Sequence, residues 1–191
     1  MSAVSERRER ERAQRHRLIV TAARELAESE GWDAVTTRRL AERVEYSQPV
    51  LYSHFAGKEA IVGAVALEGF GELAARLGGA RREAPEPGRA ALHAVCGAYL
   101  DFAEAHPALY QAMFHLPNDL RFASDETPAP MRACFDEFVH CFRPDGRPEL
   151  FAEVTWSALH GMAVLSDTAR VRREEQAERL DLLVARLADA P

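Results

Sequence analysis

Residues 36–59 read TTRRLAERVEYSQPVLYSHFAGKE and carry the clearest structural signal in the sequence. Thr36 and Ser47 each precede an apolar run and are predicted N-caps, because their side chains can accept the N–H bonds that a helix start leaves open. Pro49 falls early in the second segment, where its missing N–H is not needed. The stretch therefore predicts two helices of about eight residues around a short turn, a helix-turn-helix.

The second helix of such a unit enters the major groove of DNA and touches base edges. Gln48 is suited to a bidentate bond with adenine, and Val50 to contact with a thymine methyl group. Other side chains are suited to phosphates, which fix the register without reading sequence; they are Thr37, Tyr52, His54 and Lys58. The same pattern also fits a three-helix head whose exposed residues have no DNA partner.

Outward from this stretch, the whole chain has helical periodicity and little strand-like alternation. A helix is predicted from about Ala13 to Glu30, with Gly31 as its C-terminal cap, and another from Gly57 to about Leu77. A Gly- and Pro-rich loop is predicted over residues 78–88. Further helices are predicted over Arg89–Glu104, Pro107–His115, Pro128–Phe142, Pro148–Thr168 and Arg172–Ala188. The expected fold class is all-α, with about nine helices.

The composition of the 191-residue chain, 47% hydrophobic and 28% charged, is that of an ordinary globular protein. Residues 1–55 hold 10 Arg and 9 acidic residues, a balance of +1, whereas residues 56–191 hold the other 14 basic and 21 acidic residues, a balance of −7. An Arg-rich start on an acidic body favours nucleic-acid binding by the N-terminal part alone. No apolar run approaches the roughly 18 residues of a membrane helix, so we expect a cytoplasmic protein with reduced cysteines.

The stretch from Thr36 to Glu59 closely resembles the DNA-binding signature of the tetracycline-repressor (TetR) family. The resemblance lies in the Thr start, the Leu-Ala pair, the Leu-Tyr-x-His-Phe segment and the Lys-Glu that opens the fourth helix. It extends over residues 14–67 and implies that the second short helix faces the groove while flanking side chains bind phosphates. The complete set of DNA-contacting residues that we predict is Thr36, Thr37, Arg38, Ser47, Gln48, Pro49, Val50, Tyr52, Ser53, His54 and Lys58.

One residue departs from the family pattern. Glu45 stands in the turn where the family usually has Gly, which adopts a left-handed conformation without the steric cost of a β-carbon, about 1 kcal/mol. Glu45 also places a negative charge close to DNA. This departure keeps an alternative open: a helical small-molecule-binding or interaction module whose head binds DNA weakly.

The C-terminal part resembles one subgroup of the same family, named for its Trp-His-Gly motif, through residues 99–114 and 156–163. The resemblance implies a ligand-binding and dimerisation domain. Candidate residues of an apolar effector pocket are Phe70, His93, Cys96, Tyr99, Phe102, Met113, Phe114, Phe138 and Trp156. The last two helices are expected to form a four-helix bundle across a two-fold axis, through Val154, Ala158, Gly161, Met162, Leu165, Leu180, Leu183, Val184 and Leu187.

The sequence contains no zinc-type spacing of His and Cys, no Gly-rich phosphate loop and no nucleophile elbow. We therefore expect neither an enzyme nor a metal site, and no cofactor. The expected organisation is a DNA-binding domain over residues 1–56, with a flexible arm at 1–12, and a ligand and dimer domain over 57–191. The predicted function is a homodimeric transcriptional regulator, a repressor that a small-molecule effector releases from a palindromic operator.

Overall fold

The computed structural model describes residues 3–85, 88–142 and 146–188. Within these ranges the regular structure is entirely helical, which confirms the all-α prediction. The α-helices are α1 (Ala3–Glu30), α2 (Thr37–Arg43), α3 (Gln48–His54), α4 (Lys58–Glu83), α5 (Arg89–Ala105), α6 (Pro107–Phe114), α7 (Ala129–Val139), α8 (Pro148–Asp167) and α9 (Gln176–Ala188). Single 3-10 turns at Trp32–Ala34 and Arg173–Glu175 follow α1 and precede α9.

Two helices are longer than the sequence predicted. Helix α1 begins at Ala3 rather than Ala13, so the expected flexible arm is helical in its described part. Its Arg and Glu residues favour helix and pair one turn apart, as Arg7 and Glu11 do at 3.6 Å.

Helix α4 ends at Glu83 rather than Leu77, because it continues through Gly78 and Gly79. A tertiary contact holds this extra turn: Arg81 Nε donates to a Glu137 carboxylate oxygen at 2.6 Å. Gly78 permits that approach, since a β-carbon there would lie 2.9 Å from the same carboxylate. The hydrogen bond raises the pKa of Arg81, and the ion pair is half-buried.

The chain divides into two compact units. Unit 1 comprises Met1–Gly69 and Pro107–Leu120, and unit 2 comprises Phe70–His106 and Arg121–Pro191. The division falls inside α4 and assigns α6 to the unit that contains the helix-turn-helix. A functional boundary after residue 56 stays a prediction.

The core of unit 1 forms where α1, α2 and α3 turn their apolar faces to one another. Its most buried side chains, at 0–5% exposure, include Ile19, Leu26, Trp32, Leu40, Leu51 and Phe55. Side chains of that kind stabilise a fold by about 1.5–3 kcal/mol each on burial. The outer faces of the short helices α2 and α3 are left to solvent as a consequence.

The core of unit 2 is built on α5, whose apolar face is fully buried. Val95, Cys96, Tyr99 and Phe102 on this helix are 0–2% exposed. Helices α7, α8 and α9 pack around α5, with Phe138, Leu159 and Val184 among their buried residues.

Candidate nucleic-acid interface

The turn between α2 and α3 has the geometry that the sequence predicted. The side chain of Thr36 caps α2 by accepting a hydrogen bond from the backbone N of Arg39 at 3.2 Å. Glu45 has a φ of 57°, so a non-glycine residue occupies the left-handed position. The backbone then closes with Tyr46 N donating to Ala41 O at 2.9 Å. The turn is thus formed despite the substitution at position 45.

Helix α3 turns a polar face to solvent. Gln48, Pro49, Tyr52 and Ser53 are exposed, and Tyr52 keeps 52% of its surface. Val50 and His54 are half-buried, whereas Leu51 is 1% exposed and anchors the helix in the core. The predicted groove-facing residues therefore share one accessible side of a short helix.

A hydroxyl pair joins the two short helices across this surface. Thr37 Oγ1 and Tyr52 Oη lie 3.4 Å apart. On α3 itself, Ser53 Oγ donates to the carbonyl of Val50 at 2.7 Å, which leaves the Ser53 oxygen as an acceptor. Thr37, Tyr52 and Ser53 thus present hydroxyl groups side by side, an arrangement suited to phosphate oxygens and base edges.

Some predicted DNA-contacting residues also have partners within the protein. The Thr36 hydroxyl caps α2, and Ser47 receives the first backbone bonds of α3 through its carbonyl oxygen. Lys58 Nζ donates to the carbonyl of Trp32 at 2.5 Å, which ties the start of α4 to the turn after α1. An ammonium group has three donors, so this bond leaves capacity for a phosphate.

Arginines of α2 fasten that helix to α1. Arg39 makes a two-pronged ion pair with Glu30, at 2.9 and 2.8 Å, and Arg43 Nη2 lies 2.9 Å from a Glu25 oxygen. The Arg39 hydrogen bond lowers the pKa of Glu30. Arg38, another predicted DNA-contacting residue, pairs with Glu42 of its own helix at 3.0 Å and is 79% exposed. It stays a candidate for DNA contact.

The C-terminal end of α3 meets α1. The ring of His16 lies 4.5 Å from that of Phe55, the C-cap residue that follows α3. Burial lowers the pKa of His54, and the positive charges of Arg12, His16 and Arg15 lower it further. His54 is therefore held in a basic environment beside α1.

Helix α6 is fixed to the head by contacts that sequence analysis missed. Trp32 Nε1 donates to the carbonyl of Ala108 at 2.7 Å. The Glu28 carboxylate accepts from the backbone N of Ala108 at 3.3 Å and of Leu109 at 3.1 Å, so it caps the start of α6. No local signal could reveal these bonds, because the partners lie 76 to 81 residues apart.

Most predicted pocket residues of unit 2 lie in one aromatic cluster. Trp156 Nε1 donates to Tyr99 Oη at 3.1 Å, and the rings of Tyr99 and Phe138 are 5.8 Å apart. Phe122, which sequence analysis did not select, links the cluster by lying 5.8 Å from Phe70 and 6.4 Å from Trp156. Cys96 and Phe102 are buried on the same helix as Tyr99.

The remaining pocket candidates are not in this cluster. His93 is exposed and its Nε2 lies 2.8 Å from Asp181 on α9, so it joins α5 to α9 at the surface. Met113 and Phe114 belong to α6 in unit 1, where Met113 is 1% exposed. The assignment of His93 to an effector pocket stays a prediction, and its exposed side chain places it at the surface of unit 2 rather than in the aromatic cluster.

The predicted dimer residues fall into two groups, one accessible at the surface and one buried in the core. On α8, Val154 and Leu165 are 50% and 38% exposed, and Ala158, Gly161 and Met162 on the same face are half-buried. On α9, Leu183 and Leu187 are half-buried. Leu180 and Val184 are only 7% and 1% exposed and pack inside unit 2, which removes them from the accessible surface. Leu182, which is 59% exposed, was not among the predicted dimer residues.

Two other kinds of site are absent from the part of the chain that the structure describes. No group of three or more His, Cys, Asp or Glu in that part of the chain is arranged to hold a metal ion. None of its helices combines the length and apolar character needed to cross a membrane.

Two family models match the chain. One, described as "Bacterial regulatory proteins, tetR family", covers residues 19–65 and includes the helix-turn-helix. The other, described as "Tetracyclin repressor-like, C-terminal domain", covers residues 92–190, more than half of the chain. Assignment to the Trp-His-Gly subgroup stays a prediction.

Individual relatives agree with these models. The chain is 30% identical over 158 residues to the HTH-type transcriptional regulator Rv0681 of Mycobacterium tuberculosis, covering 78% of this chain and 69% of that one. It is 47% identical over 48 residues to the class C tetracycline repressor protein of Escherichia coli, covering 25% and 22%. A solved structure from Rhodococcus sp. RHA1 superposes with a TM-score of 0.73 at 27% identity, covering 91% and 95%.

The helix-turn-helix geometry, both family models and these relatives lead to one conclusion. The chain belongs to the TetR family and is a DNA-binding transcriptional regulator.

Proposed function

We propose that this regulator is a homodimeric repressor that leaves a palindromic operator when a small apolar molecule binds in unit 2. The observation that carries the proposal is the exposed face of α3, with Gln48, Tyr52 and Ser53 in solvent above a buried Leu51. The buried Leu51 anchors α3 in the core, and the exposed polar residues of the helix stay accessible to DNA.

Recognition would divide between base edges and phosphates. Gln48 and Val50 are the candidates for base contact, by an adenine pair and a thymine methyl respectively. Thr37, Tyr52 and Arg38 are the candidates for phosphate contact, because they flank α3 on the same exposed surface. Two such heads need a separation of about 34–36 Å to reach successive major grooves, and a dimer supplies it.

The candidate effector site is the aromatic cluster of unit 2. The cluster brings together Phe70, Phe122 and Phe138 with the bonded pair of Tyr99 and Trp156. An apolar lining with few polar groups selects a largely apolar ligand that carries one hydrogen-bonding group. Tetracycline is not proposed, since the likeness to tetracycline repressors covers only about a quarter of the chain.

Coupling would run through α4, because this helix begins in unit 1 beside the helix-turn-helix and continues along the chain into unit 2. Lys58 at the start of α4 and Ala108 at the start of α6 bond to the same residue, Trp32. A ligand that displaces α4 would therefore shift Lys58 and, through Trp32, the position of the helix-turn-helix. The free energy required is about 1–3 kcal/mol, the usual range for coupling between two sites.

The proposed dimer surface is the exposed face of α8 with the half-buried Leu183 and Leu187 of α9. Gly161 is central to it, since no atom lies within 4 Å of where its β-carbon would stand, and a second helix can approach there. Because operator DNA is the proposed partner, the cytoplasm is the proposed compartment, and no enzymatic activity is proposed.

The test is selection of genomic fragments by the purified full-length protein at one fixed salt concentration, since phosphate contacts make affinity depend steeply on salt. We expect a palindrome with half-sites about one helical turn apart. A Gln48→Ala variant, exposed and free of packing changes, should lose preference at one base position by about 1–3 kcal/mol. Recovery of only weak, sequence-independent binding would overturn the proposal and favour the module with a weakened head.

A further inference from the structure

The first half of α1 extends beyond the core of unit 1. The helix begins at Ala3, whereas Ile19 is the first of its residues to be buried in the core, at 0% exposure. Residues 6–15 are all exposed. At 1.5 Å per residue, the extension is about 24 Å of helix. A projection of this length is more than twice as long as the seven-residue α3.

Three arginines form one stripe along the extension. Arg8, Arg12 and Arg15 are spaced i, i+4 and i+7 and fall within an arc of about 60° at 100° per residue. Glu11, the nearest acidic residue on the wheel, lies about 40° outside the arc and pairs with Arg7 at 3.6 Å. The stripe therefore presents positive charge that no acidic residue on its own face neutralises.

The stripe is on the side of α1 that meets the recognition helix. His16 belongs to the same side, one turn after Arg12, and its ring lies 4.5 Å from that of Phe55 at the end of α3. Arg12 and Arg15 also lower the pKa of His54, the last residue of α3, after the larger effect of burial. Both observations place the stripe beside the C-terminal end of α3.

We propose that Arg8, Arg12 and Arg15 bind phosphates of the DNA backbone flanking the half-site that α3 contacts, and so lengthen the operator footprint. This inference rests on the proposed DNA-binding surface of α3. The partner is a polyanion because guanidinium groups suit phosphates. The extension lacks the broad apolar face that an interfacial membrane helix needs, since residues 6–15 are Glu, Arg, Ala and Gln.

The number of phosphate contacts sets how steeply DNA affinity is expected to fall with salt. Each phosphate contact contributes about 0.9 to the slope of log affinity against log salt. Three arginines on each protomer of a dimer therefore contribute a slope of about 5. A slope difference of about 5 means that the ratio of native to variant affinity rises about 1,000-fold as the salt concentration falls from 200 to 50 mM.

The test variant is the triple substitution R8Q, R12Q and R15Q in the full-length protein, because Gln keeps a helix propensity close to that of Arg. The matched control is R7Q, R10Q and R17Q, which removes the same charge from the opposite face of the same extension. Circular dichroism verifies that both variants keep their helix content. Binding is measured by fluorescence anisotropy from 50 to 200 mM salt, on the selected operator with and without about ten flanking base pairs on each side.

We expect the stripe variant to lose most of the salt slope assigned to the extension and all of the gain from flanking DNA, with the control nearly unchanged. Equal losses in both variants would show a general charge effect and overturn the proposal, as would no loss in either. A random-sequence duplex gives a separate measurement, because phosphates carry no sequence. The protein could show no operator preference while the stripe variant still has a smaller salt slope than the native chain on the random-sequence duplex. In that case the repressor proposal is overturned, but the proposal that the three arginines bind phosphates is supported.

Discussion

Gly69 of α4 lies so close to Leu109 of α6 that a β-carbon at position 69 would stand 2.8 Å from Leu109 Cδ1. The sulfur of Met113 would be at the same distance. Both neighbours are 1% exposed, so they have little room to withdraw. The glycine therefore sets the separation of two helices that are each bonded to Trp32.

We predict that Gly69→Ala destabilises the protein by about 1–3 kcal/mol, the usual cost of overpacking a core. Gly71→Ala is the matched control, because it lies on the same helix with no atom within 4 Å of its β-carbon position. That substitution should stabilise by about 0.5–1 kcal/mol, the helix penalty of Gly. Urea unfolding of both variants measures the difference, and similar free energies of unfolding would contradict the packing argument.

The second prediction concerns Glu45, whose φ of 57° is left-handed. Glu45→Gly should stabilise the protein by about 1 kcal/mol, because it removes the strain of a β-carbon in that conformation. Glu45→Gln removes the charge and keeps the strain, so it should leave the free energy of unfolding nearly unchanged. Thermal unfolding of the two variants separates strain from charge.

The same pair of variants tests whether Glu45 weakens the head. We expect operator affinity to rise less than tenfold in both variants, a change below about 1.4 kcal/mol, because the turn is already closed in the native chain. Anisotropy titration at fixed salt is the measurement. A larger gain would show that the native residue impairs DNA binding and would favour the alternative of a weakened head.

The parts of the fold that sequence analysis predicted are those with local causes. The Thr36 cap, the left-handed turn at Glu45 and the exposed face of α3 each follow from residues within a few positions of one another. A family signature covers the same residues, so the periodic pattern and the resemblance agreed there.

The features of the fold that sequence analysis did not predict depend on contacts between residues far apart along the chain. Arg81 stabilises α4 beyond Gly78 through Glu137, which is 56 residues away. Trp32 and Glu28 hold α6 from 76 to 81 residues away. On α9, Leu180 and Val184 share an apolar stripe with Leu187, and periodicity alone does not distinguish burial within the chain from burial between two copies.

The third prediction concerns the hydrogen bond between Tyr99 and Trp156. Tyr99 is 0% exposed, and its hydroxyl accepts from Trp156 Nε1 at 3.1 Å. Tyr99→Phe should lower the free energy of unfolding by about 1 kcal/mol, the net value of a typical hydrogen bond, or more where the donor is left unsatisfied. A double-mutant cycle with Trp156→Phe isolates the pair, and a coupling energy near zero would show that the bond does not stabilise unit 2.

The last prediction tests the dimer surface at Gly161. A side chain there meets no atom within 4 Å of its β-carbon position, so Gly161→Arg should leave the folded subunit intact. Across a two-fold axis the same arginine would meet its own copy, and a buried like charge without a partner is strongly unfavourable. We therefore expect sedimentation velocity to show a dimer for the native chain and a monomer for the variant, with operator affinity reduced by the loss of joint binding.

The matched control for that experiment is Gly71→Arg, which adds the same charge at another helical glycine with open space around its β-carbon position. It should remain dimeric, because Gly71 lies on α4 and outside the proposed surface of α8 and α9. Circular dichroism and thermal unfolding show whether each variant keeps its fold. If Gly161→Arg stays dimeric with unchanged operator affinity, the two-fold contact is not made by α8, and a different surface must join the heads.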